Sequence, residues 1–179
     1  MSHRHAVRVS CLLAVSLALG ACAQTPPQPE PARADGFKAG LSLDTEPATS
    51  ADLGVPVYPG ARPLLEGEDD KASVRLSLWG GSAGFKLSAA KFQSRDGAER
   101  VSRFYRSALA RYGDLLDCSA ISAPRGDSKD GTVLSCGSDK VEAGAQVYKV
   151  GVPKNFRAVT VKALSDGTTQ IGIARVEMR

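Results

Sequence analysis

One helix is marked more clearly than anything else in the chain. Val101, Phe104, Tyr105, Ala108, Leu109 and Tyr112 fall at offsets 0, 3, 4, 7, 8 and 11, one apolar stripe down a helix. Asp96 is placed to cap it, with Glu99 three residues on to complete a capping box, and Gly113 stands where a helix ends. A single striped helix must bury that stripe against another layer. The rest of the chain offers strands to receive it.

Ser73 to Trp79 sets Val74, Leu76 and Leu78 against Arg75, Ser77 and Trp79, the period-two pattern of a half-buried strand. Gly80–Gly84 turns the chain, and Phe85 to Phe92 returns as a partner strand. Further strands are expected at Phe37–Leu43, Asp114–Ser119, Thr132–Gly137 and Ala145–Val152. Arg157–Leu164 and Thr168–Val176 form a hairpin about Asp166-Gly167. Val55–Tyr58 is short and extended, and Pro59-Gly60 suits a type II turn. Glu66–Asp70 is an acidic loop. The expected class is α+β, an antiparallel β-sheet with one main amphipathic helix, about 96–112, packed on one face. No βαβ alternation is present, which argues against a doubly wound nucleotide fold.

The first 21 residues read differently. Arg4 and Arg8 precede an apolar run, Val9 to Leu19, that is shorter than the roughly 20 residues a spanning helix needs. A basic start, a short apolar core and small residues after it make a secretory signal. Leu19-Gly20-Ala21-Cys22 resembles the bacterial lipoprotein signal, the lipobox. The resemblance implies acylation of Cys22 and cleavage after Ala21, and two or more acyl chains make a stable anchor. Ala23, rather than Asp, implies the outer membrane, facing the periplasm. Removing residues 1–21 leaves 158 residues, takes the formal charge from +4 to +2 and discards both histidines, His3 and His5. Residues 22–36 follow as a linker carrying four prolines, which favour an extended form rising about 3.1 Å per residue. Residues 37–179 are expected to form a single periplasmic domain.

Leu53-Gly54-Val55-Pro56-Val57-Tyr58-Pro59-Gly60-Ala61, followed by a helix with Phe104-Tyr105-Arg106 and a close at Tyr112-Gly113, resembles a group of uncharacterised bacterial envelope lipoproteins. They share a vPvYPGA segment upstream of an FYR helix. What the resemblance implies is structural, a turn, an aromatic pair and a helix end, and it carries no activity.

With Cys11 in the signal and Cys22 acylated, Cys118 and Cys136 remain. In an oxidising compartment they are expected to pair as a disulfide, the alternative being two buried free thiols. No Cys-x-x-Cys motif is present, which argues against redox catalysis.

A processed chain without histidine cannot assemble a Ser-His-Asp or Cys-His site, and zinc loses its commonest nitrogen ligand. Ser88 and Lys91 have the Ser-x-x-Lys spacing of β-lactamase-like enzymes, but positions three apart on a strand point to opposite faces. Gly80–Gly84 lacks the following Lys and Ser/Thr of a phosphate loop. The acids at Glu66, Glu68, Asp69 and Asp70 do not follow calcium-loop spacing. Arg125-Gly126-Asp127 is a tripeptide that any turn can produce. No catalytic, cofactor or metal site is therefore expected.

Arg100, Arg103, Arg106 and Arg111 lie opposite the apolar stripe, with Arg95 just before it. Such a stripe suits an anionic surface polymer, anionic lipid headgroups or an acidic envelope protein, or is an ordinary solvated face; nucleic acid is not an expected partner. The expected function is a membrane-anchored envelope lipoprotein with a non-catalytic structural or binding role. The alternative is a small glycan-acting enzyme of the envelope using two carboxylates, which needs no histidine.

Overall fold

The computed structural model describes residues 38–67, 70–120, 122–124, 132–137 and 141–179. Cys22 and the expected signal and linker lie outside the described residues, as do Glu68, Asp69 and the Arg125-Gly126-Asp127 tripeptide. Phe37–Arg179 form one compact unit whose core side chains all come from within it.

Eight strands make one sheet: β1 Ala39–Asp44, β2 Arg62–Pro63, β3 Ser73–Gly80, β4 Ala83–Ser94, β5 Leu116–Asp117, β6 Ala145–Val152, β7 Asn155–Ala163 and β8 Thr169–Met178. Their order is β1-β3-β4-β8-β7-β6-β5, with β2 pairing against β4. The described pairings are antiparallel. A one-turn helix α1, Ser50–Leu53, and the main helix α2, Ala98–Leu109, complete the unit; α2 runs on into a 3-10 turn at Ala110–Tyr112. The result is consistent with α+β, although the sheet dominates.

Helices and core lie on one side of the sheet. Leu53 of α1 and Val101, Tyr105 and Leu109 of α2 pack on Ala90, Phe92, Val159, Val161, Ile171 and Ile173. The buried residues of β3, β4, β7 and β8 share this face: Ser73; Ser88, Ala90, Phe92 and Ser94; Val159 and Val161; Thr169, Ile171 and Ile173. Each large apolar side chain so buried contributes about 1.5–3 kcal/mol.

The turns form as their residues demand. Ala61 N–H donates to the Tyr58 carbonyl at 3.0 Å while Gly60 takes φ 76°, the type II geometry expected of Pro59-Gly60. The β7–β8 hairpin turns at Asp166-Gly167, with Gly167 at φ 81°.

Several expectations need correction. Asp96 does not cap α2: the N-cap is Gly97, with no side-chain cap bond. The Asp96 carboxylate instead accepts the Tyr58 hydroxyl at 2.6 Å, which draws it away from the helix terminus. Tyr112 leaves the apolar stripe, because the tighter 3-10 turn rotates it out to solvent, where Arg157 covers its ring at 4.4 Å. Thr132–Gly137 is not a strand; Cys136 N–H donates to the Pro124 carbonyl at 2.9 Å, which diverts it from a ladder. The strand expected over 114–119 shortens to β5.

In β3 the alternation is present, but its polar set faces the helices. Arg75 accounts for this, because its guanidinium is held by Asp44 and, at 2.9 Å, by Asp52 of α1. Val74, Leu76 and Leu78 consequently occupy the opposite, uncovered face.

Candidate functional site

Three of the four helix arginines come together. Arg100, Arg103 and Arg111, with Ser107, rim a groove of about 650 Å³ between α2 and the extended 56–59 segment. Its floor is Pro56, Val57, Pro59, Phe104 and Ala108. Two bonds pin the segment, one to α2 and one to the residue before its cap: Tyr58 N–H donates to the Tyr105 hydroxyl at 3.0 Å, and the Tyr58 hydroxyl donates to Asp96. The Tyr58 ring meets Phe104 edge-on, centroids 5.1 Å apart. The sequence expectation named these arginines but missed the facing wall. The Pro-x-x-Pro spacing of Pro56 and Pro59 was the available signal, since each proline fixes its backbone and leaves a stiff rail beside the helix.

Arg106 does not join them. It lies on the other flank of α2, with its guanidinium 5.9 Å from the Tyr148 ring centroid. Arg100 pairs with Asp96 at 3.4 Å, an exposed i,i+4 contact worth little to stability. Arg103 and Arg111 are exposed and have no carboxylate partner among the described residues. Their charge is free to meet an anion while the floor takes up apolar surface, which favours an amphiphilic or sugar-phosphate ligand over a small inorganic ion.

Two further cationic positions serve the fold. Arg157 donates from Nε to the Gly54 carbonyl at 3.0 Å, and Arg175 from an Nη to the Ala51 carbonyl at 3.3 Å. Both satisfy carbonyls at the C-terminal end of α1, where cations are favoured.

The carboxylates are arranged as acceptors. The Thr49 backbone N–H, then the Thr49 hydroxyl and Arg75, hold Asp52 down to about 2. Asp44 is lowered by the Glu46 N–H and by Arg75, Asp70 by the Glu66 N–H, Glu142 by Lys162 and Asp166 by Thr168. Among the described residues, every carboxylate with a displaced ionisation is displaced downward. A glycosidase acid requires the reverse, a carboxyl held protonated near neutral pH. Ser88 and Lys91 lie on opposite faces of β4: Ser88 is buried under the helices, whereas Lys91 reaches Glu66 and Asp70.

Cys118 and Cys136 stand at disulfide distance, Cα atoms 5.3 Å apart. Cys118 N–H donates to the Val147 carbonyl at 2.8 Å, which ties the pair to β6. Among the described residues, no helix is long and apolar enough to cross a membrane.

The sheet's second face is the other conspicuous surface. Leu41 is 67% exposed, Leu43 65%, Leu78 42% and Met178 43%, and they adjoin half-buried Leu76, Phe85, Leu87, Val176 and Phe156. An antiparallel sheet with one solvated face ordinarily turns polar residues outward. This one does not.

No protein-family model matches the chain, and neither the curated proteins nor the solved structures include a match to it.

Proposed function

We propose that the chain is a membrane-anchored envelope lipoprotein with a non-catalytic binding role. In this reading Cys22 carries the lipid, residues 22–36 are the linker, and the domain works at the outer membrane, facing the periplasm. The α2 groove is its contact for an anionic, phosphate-bearing surface. One observation carries the proposal: Arg100, Arg103 and Arg111 converge over an apolar floor, and two of them lack a carboxylate partner among the described residues. Downward-displaced carboxylates and a processed chain without histidine support binding over acid–base chemistry.

The anchor is tested by fractionating cells that express the full chain. The protein should sediment with membranes and show an acyl mass at Cys22, and Cys22→Ser should release or mislocalise it. A native chain with an uncut Met1 and no fatty-acid mass would remove the address. The groove is tested with the chain from residue 22 onward, carrying Cys22→Ser, which contains the whole self-contained unit. It should co-sediment with vesicles containing anionic phospholipid and not with neutral ones, and salt should weaken the attachment. A basic residue near such a surface contributes about 1 kcal/mol, so Arg103→Gln with Arg111→Gln should weaken binding roughly thirtyfold. Binding indifferent to salt and to both substitutions would exclude the groove.

A further inference from the structure

We propose that the uncovered apolar face of the sheet is a self-association surface, on which a second copy of this chain packs face to face. The surface lies on the opposite side of the sheet from the α2 groove, and nothing in the groove reading requires it.

Strand register sorts this face into rows. One row is bulky: Leu43, Leu76, Leu87, Val176 and Phe156, side by side across β1, β3, β4, β8 and β7. Its neighbour, two residues along the strands, is small: Val74, Ala89, Ala174 and Ala158. With Gly172 and Thr160 beyond it, the small row floors a depression of about 280 Å³. On the other side of the bulky row Leu41, Leu78, Phe85 and Met178 line a hollow of about 690 Å³ at the sheet's end. Ridge and trough therefore lie parallel on one surface.

That pairing is self-complementary. A two-fold axis parallel to the rows, midway between bulky and small, lays each ridge in the other copy's trough. Leu87 then meets Ala89 of the second copy, Val176 meets Ala174, and Phe156 meets Ala158. Each contact occurs twice, as an isologous interface requires. Sheets so stacked stand about 10 Å apart with nearly aligned strands.

Area and charge fit the same occupant. Five strands at about 4.8 Å and four rows at about 6.8 Å give a patch of roughly 600 Å². Two copies would cover about 1,200 Å², the lower bound for a specific stable interface. Three of the lysines on this face are engaged, while Lys71 stands exposed at the rim of the depression with no carboxylate partner among the described residues. Lys91 is held by Glu66 and Lys162 by Glu142, while Lys149 donates to the Ser135 and Cys136 carbonyls at 3.4 and 3.1 Å. A lipid headgroup would find one unpaired ammonium, at the rim and not over the apolar rows, whereas an apolar copy needs none. In the paired arrangement Lys149 lies over Gly151 of the second copy.

The chain from residue 22 onward, with Cys22→Ser, should sediment as a dimer at concentrations up to about 100 μM. Leu87→Glu and Ala89→Lys should each weaken association at least a hundredfold. Mixed in equal amounts they should form a heterodimer, because the carboxylate introduced in one variant then faces the ammonium introduced in the other. Both positions stand on the open face, and an unchanged far-UV spectrum confirms folding. If Leu87→Glu does not fold, Ala89→Lys and Leu78→Glu must still abolish the dimer. A monomeric native chain, a dimer indifferent to both substitutions, or mixed variants that stay apart would each overturn the proposal. So would a monomer that binds neutral phosphatidylcholine vesicles and loses that binding with Leu87→Glu, since the face would then be a lipid surface.

Discussion

Tyr105→Phe separates one hydrogen bond from the packing around it. Tyr105 is fully buried at the centre of α2, and its hydroxyl accepts the buried Tyr58 N–H at 3.0 Å. Phenylalanine keeps the ring contacts with Phe104 and Tyr58 and removes that acceptor. A buried donor left without a partner costs about 1–3 kcal/mol, and for a domain of this size each kcal/mol lowers Tm by about 2–4 °C. Urea titration at pH 7 should show the loss with an unchanged slope. Alkali supplies a second, independent check. Burial, the largest influence, raises the Tyr105 phenol from its ordinary 10.0 to about 12. Below about pH 10 both folded and unfolded chains hold this proton, so its contribution is complete. Between about 10 and 12 the unfolded chain loses it while the folded chain keeps it, and stability falls. By pH 11 the decline from this one group is about 1 kcal/mol. Tyr105→Phe lacks it, so the gap between native and variant should narrow as the pH rises from 9 to 11. A variant as stable as the native chain at pH 7 would show that the bond does not hold the 56–59 segment. A gap constant with pH would show that the phenol is not kept protonated by burial.

Reducing the Cys118–Cys136 bridge, or Cys118→Ser with Cys136→Ser, should cost about 3 kcal/mol by loop closure across 18 residues; calorimetry checks this, and alkylation of the untreated protein should fail. Thr49→Ala should cost about 1 kcal/mol as a lost N-cap. It should also reduce acid sensitivity in part. Asp52, depressed to about 2, stabilises the fold above its ordinary 3.8 and loses that contribution as pH falls toward 2. The variant keeps the backbone N–H, the largest influence, while losing the hydroxyl; acid titrations followed by circular dichroism test the point. A Cβ at Gly40 would stand 2.0 Å from the Trp79 ring, so Gly40→Ala should expel the half-exposed indole, seen as greater iodide quenching at a stability cost of about 1 kcal/mol.

Elements whose signal is local were legible in the sequence. The 101–109 stripe, the glycine turns and the Asp166-Gly167 hairpin each depend on neighbouring residues. What required the third dimension was side and partner. Alternation in β3 gives two faces, but which one meets the helices is decided by Asp44 and Asp52 closing on Arg75 from elsewhere in the chain. Asp96 followed by Glu99 fits a capping box, yet Tyr58, 38 residues away, takes the carboxylate. The true box is Thr49-Ser50-Ala51-Asp52, with Thr49 and Asp52 bonding reciprocally. Its signature was readable, but it starts a helix of one turn, too short to leave a periodic stripe. Of the groove, the arginines were legible and the opposing rail was not, because helix periodicity locates a face without showing what stands beside it.

The two proposed surfaces constrain each other. α2 lies on the far side of the sheet from the apolar rows, so face-to-face pairing turns both arginine grooves outward, on opposite sides of the dimer. Two sheets about 10 Å apart, each backed by a helix about 10 Å across, separate the grooves by roughly 30 Å. A flat anionic surface then meets one groove squarely, and the other is left to face a second surface or a polymer strand. The pair would act as a bridge, with avidity that neither copy has alone. Leu87→Glu should therefore abolish the clustering of anionic vesicles while leaving attachment to single vesicles intact, whereas Arg103→Gln with Arg111→Gln should weaken both. If clustering survived the loss of the dimer, the second contact would have to lie on the same copy as the first, and the two-sided geometry would be wrong.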